Sequence, residues 1–343
     1  MTQGWGTRWK NRLAARRARS APAAGGFVSM PEPRSIGYFA RGKQLAAGNF
    51  LMGGHMVETL DPWTVEPPSH AFAAELHGFA WLDHLAAAGD RDARLAAQRW
   101  VQGWIDRFDA GDGPGWEPDI AGRRVTRWIN HAIFLTAGRT PAETQPFFAA
   151  LGRHTDFLAR SWSRTEPGLP RFEALAGLVC ASLALLGMER HRSDALHALG
   201  RACAHDIGPD GAIPSRSPEQ LLEVFTLLTW VRQALSESGL AVPAQVQDAL
   251  TRVAPCLRTL RHADGGLARF HSGGRGMDGL LDHALSASGV TGTTRETSAM
   301  GYARLEGGRT TVIVDAARPP IGFGAARTCL DAGAGADVRI GGH

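Results

Sequence analysis

Closely paired cysteines and long apolar runs are missing from this chain of 343 residues. The four cysteines, Cys180, Cys203, Cys256 and Cys329, are widely spaced and form no Cys-x-x-Cys pair. This spacing argues against a disulfide framework or a zinc knuckle, both of which need thiols in close pairs. Three of the four lie in apolar helical surroundings, so we expect them to be small buried side chains.

A membrane span and a secretory signal are also missing from the pattern. No apolar run reaches the roughly 18 residues that a membrane-spanning helix requires. The N-terminus lacks the apolar core of a signal peptide, which makes the cytoplasm the default location. It is basic and amphipathic instead, with arginines and a lysine around Trp5, Trp9 and Leu13. We expect a solvated first helix, with a helix on an anionic membrane surface as the alternative.

Long Ile, Val and Thr runs do not occur before about residue 309, whereas Ala and Leu are abundant. This bias favours helices over most of the length. Hydrophobic residues make up 44% and charged residues 20% of the chain, as in a soluble globular protein. The formal net charge of +4 suits an acidic polysaccharide and suits nucleic acid equally well. Because no nucleic-acid-binding motif accompanies the charge, no nucleic-acid partner is predicted.

Helix after helix is predicted between about residues 70 and 260. Leu221, Val224 and Leu228 share one helical face, and Val246, Leu250 and Val253 share another. Breaks rich in Gly, Pro and Asp separate the helices, but no sequence repeat of fixed length is visible. These patterns alone leave a bundle, a solenoid and a toroid of helical hairpins as alternatives.

The pattern changes near residue 298. Tyr302-Ala-Arg-Leu305 leads through Glu306-Gly-Gly to the β-type run Arg309–Asp315. Two such runs joined by a Gly-containing turn predict a β-hairpin. The predicted organisation is a basic N-terminal helix and linker over 1–36, a helical domain over 37–290 and a truncated β domain over 291–343.

Three features in this order resemble heparinase II/III-like polysaccharide lyases. An all-helical region precedes a loop containing Asp264-Gly-Gly, which precedes the hairpin GYARLEGGRTTVIVDA. The segment WEPDIAGRRVTRWIN, residues 116–130, is similar to that family's Trp…Arg…Trp-Ile segment. The resemblance covers roughly residues 35–320. It implies a mainly α fold, an incomplete (α/α) toroid of helical hairpins, followed by the first hairpin of an antiparallel β-sandwich.

The resemblance also implies a polysaccharide lyase that cleaves uronic-acid-containing polysaccharides by β-elimination. One group must neutralise the uronate carboxylate, and another must take the C5 proton and protonate the leaving oxygen. The family's usual groups are an Asn-His pair and a Tyr. Here Leu169 and Pro170 stand at the place of the pair, and Gln220 stands at the place of the Tyr. Activity of this chain therefore depends on substitute residues.

The substitute residues are polar or aromatic side chains near the family segments. We expect His271 to move protons as the general base, and Arg216 or Arg124 to neutralise the carboxylate. A second set is expected to bind substrate: Arg124, Trp116, Trp128, Asn130, His131, Arg171 and His262. His262 and Asp264 are too few ligands for a metal site, so neither a metal nor another cofactor is predicted.

The tail after Pro320 is rich in Gly and Ala and lacks the alternation of a strand. A shift of the reading frame would explain it, since suitable codons give an alternating peptide in another frame. The nucleotide sequence of the gene tests this hypothesis.

The leading interpretation is a lyase-like protein that acts on an acidic polysaccharide. The resemblance implies the cell envelope or periplasm as its location. Two alternatives remain from other classes: a non-catalytic module that binds an anionic glycan, and a helical interaction protein of the solenoid type. A groove without convergent Arg and His residues would favour the last of these.

Overall fold

The structure is a computed structural model. It describes residues 5–111, 113, 115–271, 273–292, 296–308 and 310–317, and the backbone of 336–340. The described chain is mainly α, as the sequence predicts. Its helices are α1 (Trp5–Ala18), α2 (Phe39–Ala46), α3 (His70–Gly78), α4 (Leu82–Ala88), α5 (Arg91–Phe108), α6 (Pro118–Asn130), α7 (Ala132–Thr136), α8 (Pro141–Ser161), α9 (Leu169–Ala184), α10 (Arg192–Asp206), α11 (Pro218–Glu237), α12 (Ala244–Thr259) and α13 (Leu280–Ala287).

Two antiparallel sheets accompany the helices. The strands are β1 (Asn49–Met52), β2 (His55–Glu58), β3 (Ser298–Ala299), β4 (Tyr302–Gly307), β5 (Thr310–Asp315) and β6 (Ala336–Ile340). Strands β1 and β2 form a hairpin, and the other four pair in the order β3-β4-β5-β6. The predicted hairpin is therefore confirmed as β4 and β5, with Tyr302 opposite Asp315.

Strand β6 lies in the tail, for which the sequence pattern predicted no strand, so that prediction is wrong for residues 336–340. Ala336 pairs with Val314 and Ile340 pairs with Thr310. Residues 336–340 read Ala-Asp-Val-Arg-Ile, which alternates apolar and polar side chains, so a strand signal was present within the Gly- and Ala-rich tail. The rest of the tail, residues 318–335 and 341–343, lies outside the described residues.

The chain divides into two compact units. The first comprises residues 2–165 and 173–195. Its core is aromatic: Trp104 and Trp128 are fully buried, and their rings meet at 5.8 Å between centroids, edge to face. The indole of Trp104 donates a hydrogen bond to His77 Nδ1 at 3.0 Å. Large buried rings such as these supply much of the apolar area that stabilises this unit.

Two helices of the first unit approach each other through glycine. A Cβ placed on Gly122 in α6 would lie 2.2 Å from the carbonyl oxygen of Glu173 in α9. A Cβ on Gly177 would lie 2.6 Å from Gly122 Cα. The crossing therefore requires glycine on both helices.

The second unit comprises residues 166–172 and 196–343. Leu221, Val224 and Leu228 on α11 are fully buried, and so are Val246 and Leu250 on α12, which confirms both predicted helical faces. The sheet β3-β4-β5-β6 belongs to this unit as well. The unit therefore contains both helices and strands, and the predicted boundary at residue 291 stays a prediction.

The cysteines of the described chain fit the expected buried role. Cys180, Cys203 and Cys256 are buried and free, and Cys329 lies outside the described residues. Burial raises the pKa of the Cys180 thiol to about 11. Among the described residues, no helix is long and apolar enough to cross a membrane.

Candidate functional site

The Trp116–Trp128 segment forms helix α6 and the turn before it. Trp116 is only 4% exposed and donates from Nε1 to the carbonyl oxygen of Phe108 at 2.7 Å. Its ring stacks on His154 at 4.8 Å, with 12° between the planes. Trp128 is fully buried. In this conformation both indoles pack inside the first unit and present no face for a sugar, so their predicted substrate contacts stay a prediction.

Arg124 has a similar environment. Its side chain is fully buried and donates to the carbonyl oxygens of His77 at 2.8 Å and Gly115 at 3.1 Å. Nε donates to His154 Nε2 at 3.2 Å, and the guanidinium lies 3.9 Å from the centre of the Trp104 ring. These hydrogen bonds and the contact with the Trp104 ring give the Arg124 guanidinium a structural role in the core. Arg124 has no surface left for a substrate carboxylate in this conformation.

Asn130 and His131 lie where α6 ends, beside a polar cluster. His131 Nε2 is 2.8 Å from Asp83 Oδ1 and 3.1 Å from Ser35 Oγ. Arg127 Nε lies 3.5 Å from the same carboxylate. The trio of Ser, His and Asp has no triad geometry, because Ser35 and Asp83 meet the same imidazole nitrogen. The predicted substrate role of Asn130 and His131 is not tested by these contacts.

Arg171 and His262 belong to the second unit. Arg171 pairs with Asp206 at 3.2 Å, and the Asp206 carboxylate also accepts the backbone N–H of Gly168. His262 is 2% exposed, and its backbone N–H donates to Gly266 in the predicted DGG loop. Within the described residues, no group of three or more His, Cys, Asp or Glu side chains is placed to hold a metal ion.

Arg216 and His271, the two predicted catalytic residues, are brought together by a third side chain, Asp315. Arg216 Nη2 forms a short ion pair with Asp315 Oδ1, and His271 Nε2 lies 3.4 Å from Asp315 Oδ2. Arg216 Nε donates to the carbonyl oxygen of Met300 at 2.9 Å. We call Arg216, His271, Asp315 and Tyr302 the candidate cluster. All four belong to the second unit.

Tyr302 completes the candidate cluster from strand β4. Its hydroxyl donates to the carbonyl oxygen of Arg216 at 2.6 Å, and the Arg216 guanidinium lies 4.8 Å from its ring centre. The Phe270 ring stacks on the Tyr302 ring at 4.5 Å between centroids. Arg216 is 9% exposed, His271 6% and Tyr302 1%. The candidate cluster is therefore closed around its own hydrogen bonds.

The backbone of the candidate cluster has an unusual conformation. Arg216, His271 and Met300 all have left-handed φ angles, 53°, 51° and 53°, although none is glycine. Such residues persist only where their surroundings hold them, and they are frequent at functional sites. Next to Met300, Gly301 leaves room for the guanidinium, because a Cβ there would lie 3.1 Å from Arg216 Nη2.

The surroundings of His271 favour the neutral form of its imidazole. Burial, followed by the charge of Arg216, lowers the pKa of His271, and Asp315 opposes both. Among the described residues, neither ring nitrogen has a hydrogen-bond partner of good geometry. A neutral imidazole of this kind can accept a proton, provided that the substrate reaches it.

Sequence reasoning missed Asp315 and Tyr302. A signal for both was present, since a β-hairpin that pairs Tyr302 with Asp315 places the two residues directly opposite each other. The bonds from Arg216 to Met300, just before this hairpin, and to Asp315 join segments 84 and 99 residues apart. Local patterns do not specify contacts at such separations.

Solved structures define the class of fold. Heparinase III superposes with a TM-score of 0.59 and 14% identity, over 93% of this chain and 58% of that one. Heparan sulfate lyase HepC from Pedobacter heparinus gives 0.55 and 13%, over 91% and 56%. The chain therefore has a heparinase-like fold, mainly helical with a partial β portion, and the predicted fold class is confirmed. Identities this low show the fold alone.

Among curated proteins, the chain is similar to FtsZ-localized protein C from Caulobacter vibrioides (strain NA1000 / CB15N). The two are 30% identical over 309 residues, which is 88% of this chain and 53% of that protein. The chain thus spans about half the length of this relative. No family model matches the chain. Membership of the lyase family stays a prediction.

Proposed function

We propose that this chain binds an acidic polysaccharide through its heparinase-like fold without cleaving it. The fold supports the proposal, because heparinase III and heparan sulfate lyase HepC share it. The excess of 37 Lys and Arg over 33 Asp and Glu favours a polyanion. The resemblance implies a lyase reaction. We instead propose the alternative from the sequence analysis, a non-catalytic module that binds an anionic glycan.

The state of the candidate cluster is the observation that carries the proposal. Elimination next to a uronate needs a cation for the carboxylate, a base for the C5 proton and an acid for the leaving oxygen. Here Asp315 already neutralises Arg216, and the Tyr302 hydroxyl donates to backbone. The pKa of His271 is lowered, mainly by burial, which favours a base, but the side chain is almost completely buried. A substrate would have to displace Asp315, whose own charge repels a uronate.

A binding titration tests the first half of the proposal. The purified chain is titrated with heparin, heparan sulfate and alginate, with neutral dextran as the matched control. We expect binding to the acidic polymers that weakens as salt rises, since screening reduces the attraction between charges. We expect no binding to dextran. A folded chain that binds none of the acidic polymers, or binds dextran equally well, would contradict the proposal.

A second candidate is an interaction module that operates where FtsZ assembles. The similarity to FtsZ-localized protein C over 88% of the chain favours it. The test is co-sedimentation of the chain with FtsZ polymers, compared with unpolymerised FtsZ that stays in solution. Enrichment in the polymer pellet supports this candidate, and an unchanged pellet argues against it. The two candidates are independent, because one concerns a glycan and the other a protein filament.

A further inference from the structure

The first unit contains a cavity that the proposed function does not use. Its volume is about 370 Å³, within the range of pockets that hold small organic molecules. We call it the α4–α7 cavity. Its apolar wall is formed by Ala86, Ala87, Ile133, Phe134 and Ala137. Ile133 is 50% exposed, so the wall reaches the surface and the cavity is accessible from solvent.

The acidic group at the polar end of the α4–α7 cavity is already compensated. Asp83 lines the cavity and contacts His131 at 2.8 Å and Arg127 at 3.5 Å. Burial disfavours the ionised form, but Arg127, His131 and Ser35 outweigh it and hold the pKa of the Asp83 carboxyl below its ordinary value. The negative charge is therefore paired within the protein and does not call for a cationic ligand.

Two donor groups of the α4–α7 cavity remain unused within the described residues. The Arg94 guanidinium, half-buried in the cavity lining, makes no ion pair or side-chain hydrogen bond there. Asn130 also lines the cavity and is 3% exposed, and its amide nitrogen has no hydrogen-bond partner among the described residues. A buried donor without a partner is unfavourable, and an acceptor on a ligand would remove that cost.

From this arrangement we propose that the α4–α7 cavity binds a small organic carboxylate with an apolar body. The carboxylate pairs with Arg94 and accepts a hydrogen bond from Asn130, and the apolar body packs against Phe134, Ile133 and Ala137. Charge selects the anion, because Asp83 is compensated and Arg94 is not. No lining residue belongs to the candidate cluster, so the probes below test this cavity without involving Arg216 or His271.

Benzoate and benzamide are the probes, because they share a shape and differ in charge. Calorimetric titration of the full chain should show benzoate binding at least about tenfold more tightly than benzamide, as a charge-assisted hydrogen bond predicts. Arg94→Gln should abolish that preference. Arg91→Gln removes an exposed arginine from the first turn of the same helix and should leave the preference unchanged.

A second variant keeps the proposal falsifiable if Arg94→Gln affects folding. Ala137→Leu adds volume to the apolar wall and should weaken both probes, with the circular dichroism spectrum of the folded chain retained. Equal binding of benzoate and benzamide, no binding of either, or benzoate binding that survives both Arg94→Gln and Ala137→Leu would overturn the proposal.

Discussion

The ion pair between Arg216 and Asp315 determines, at the scale of single residues, how the candidate cluster behaves. The Arg216 and Asp315 side chains are 10% and 16% exposed. Removing one member of such a pair leaves the other charge buried and uncompensated. Breaking the pair is therefore destabilising, and the intact pair keeps Arg216 from a substrate.

Replacing Asp315 with asparagine should destabilise the second unit strongly. We expect Asp315→Asn to lower the free energy of unfolding by about 3 kcal/mol or more in urea titrations. Asp282→Asn is the matched control, since Asp282 pairs with Arg261 but is 61% exposed. Its effect should stay below about 1 kcal/mol. Equal effects of the two substitutions would show that the Asp315 pair is not a buried one in solution.

His77 makes the stability of the first unit depend on pH. Burial, with the Arg124 charge second, lowers the pKa of His77 to about 3. The unfolded chain binds a proton as the pH falls below the ordinary value of 6.5, whereas the folded chain does not until about 3. Stability is therefore complete above about pH 6.5 and falls between the two values, by up to about 1.4 kcal/mol per pH unit from this residue.

The His77→Asn variant measures this contribution. Asparagine retains an acceptor for the indole N–H of Trp104 and does not titrate. We expect wild type and variant to differ little in unfolding free energy at pH 7.5. The wild type should lose more stability than the variant between pH 6.5 and pH 4.5. Parallel losses in the two proteins would rule out a depressed His77 pKa.

Some of the site residues could be predicted from their positions in the sequence, and others could not. The order of Arg216 before the Ser217 cap of α11, and of His271 after the DGG loop, placed both residues near chain turns. Arg124 shows the limit, because a Trp-rich helix can direct an arginine either to solvent or into its core. Its fully buried position depends on Gly115, His77 and His154 from other elements.

At the scale of elements, the close crossing of α6 and α9 gives the first unit a sharp packing requirement. A methyl group on Gly122 meets backbone atoms of Glu173 and Ala174, at 2.2 Å from the nearest. Backbone cannot rotate away as the end of a flexible side chain can, so the two helices would have to separate.

Gly122→Ala should therefore lower the free energy of unfolding by about 1–3 kcal/mol, despite the better helix propensity of alanine. Gly6→Ala provides the control, because a Cβ at Gly6 in α1 has no neighbour within 4 Å. That substitution should be neutral or stabilising by up to about 1 kcal/mol. Thermal unfolding of both variants checks the prediction. A neutral Gly122→Ala would mean that α6 and α9 are farther apart.

Element prediction from the sequence was accurate where one periodicity continued for several turns. Helices α11 and α12 have apolar residues at helical spacing, and those residues are fully buried. The hairpin β1–β2 was missed because its strands have only four residues each, and β2 is almost wholly exposed. Strand β6 was missed because its five alternating residues, Ala-Asp-Val-Arg-Ile, follow a stretch of the tail that is rich in Gly and Ala.

At the scale of the whole molecule, the fold is that of polysaccharide lyases, whereas the chemistry of the candidate cluster does not favour cleavage. The heparinase-like fold follows from likeness to solved structures over more than 90% of the chain. Fold alone does not determine function, which depends on the groups of a site. In this chain, Asp315 occupies Arg216, the Tyr302 hydroxyl donates to backbone, and His271 is almost completely buried. Binding without cleavage is the account that agrees with both observations.

Absorbance at about 232 nm tests this account most directly, since elimination leaves an unsaturated uronate that absorbs there. The folded chain is mixed with the heparin, heparan sulfate and alginate used in the binding titrations, at saturating concentrations. The account predicts a flat trace with every polymer that binds. A rise in absorbance that disappears in His271→Ala would contradict it and would establish a lyase that uses His271 as its base.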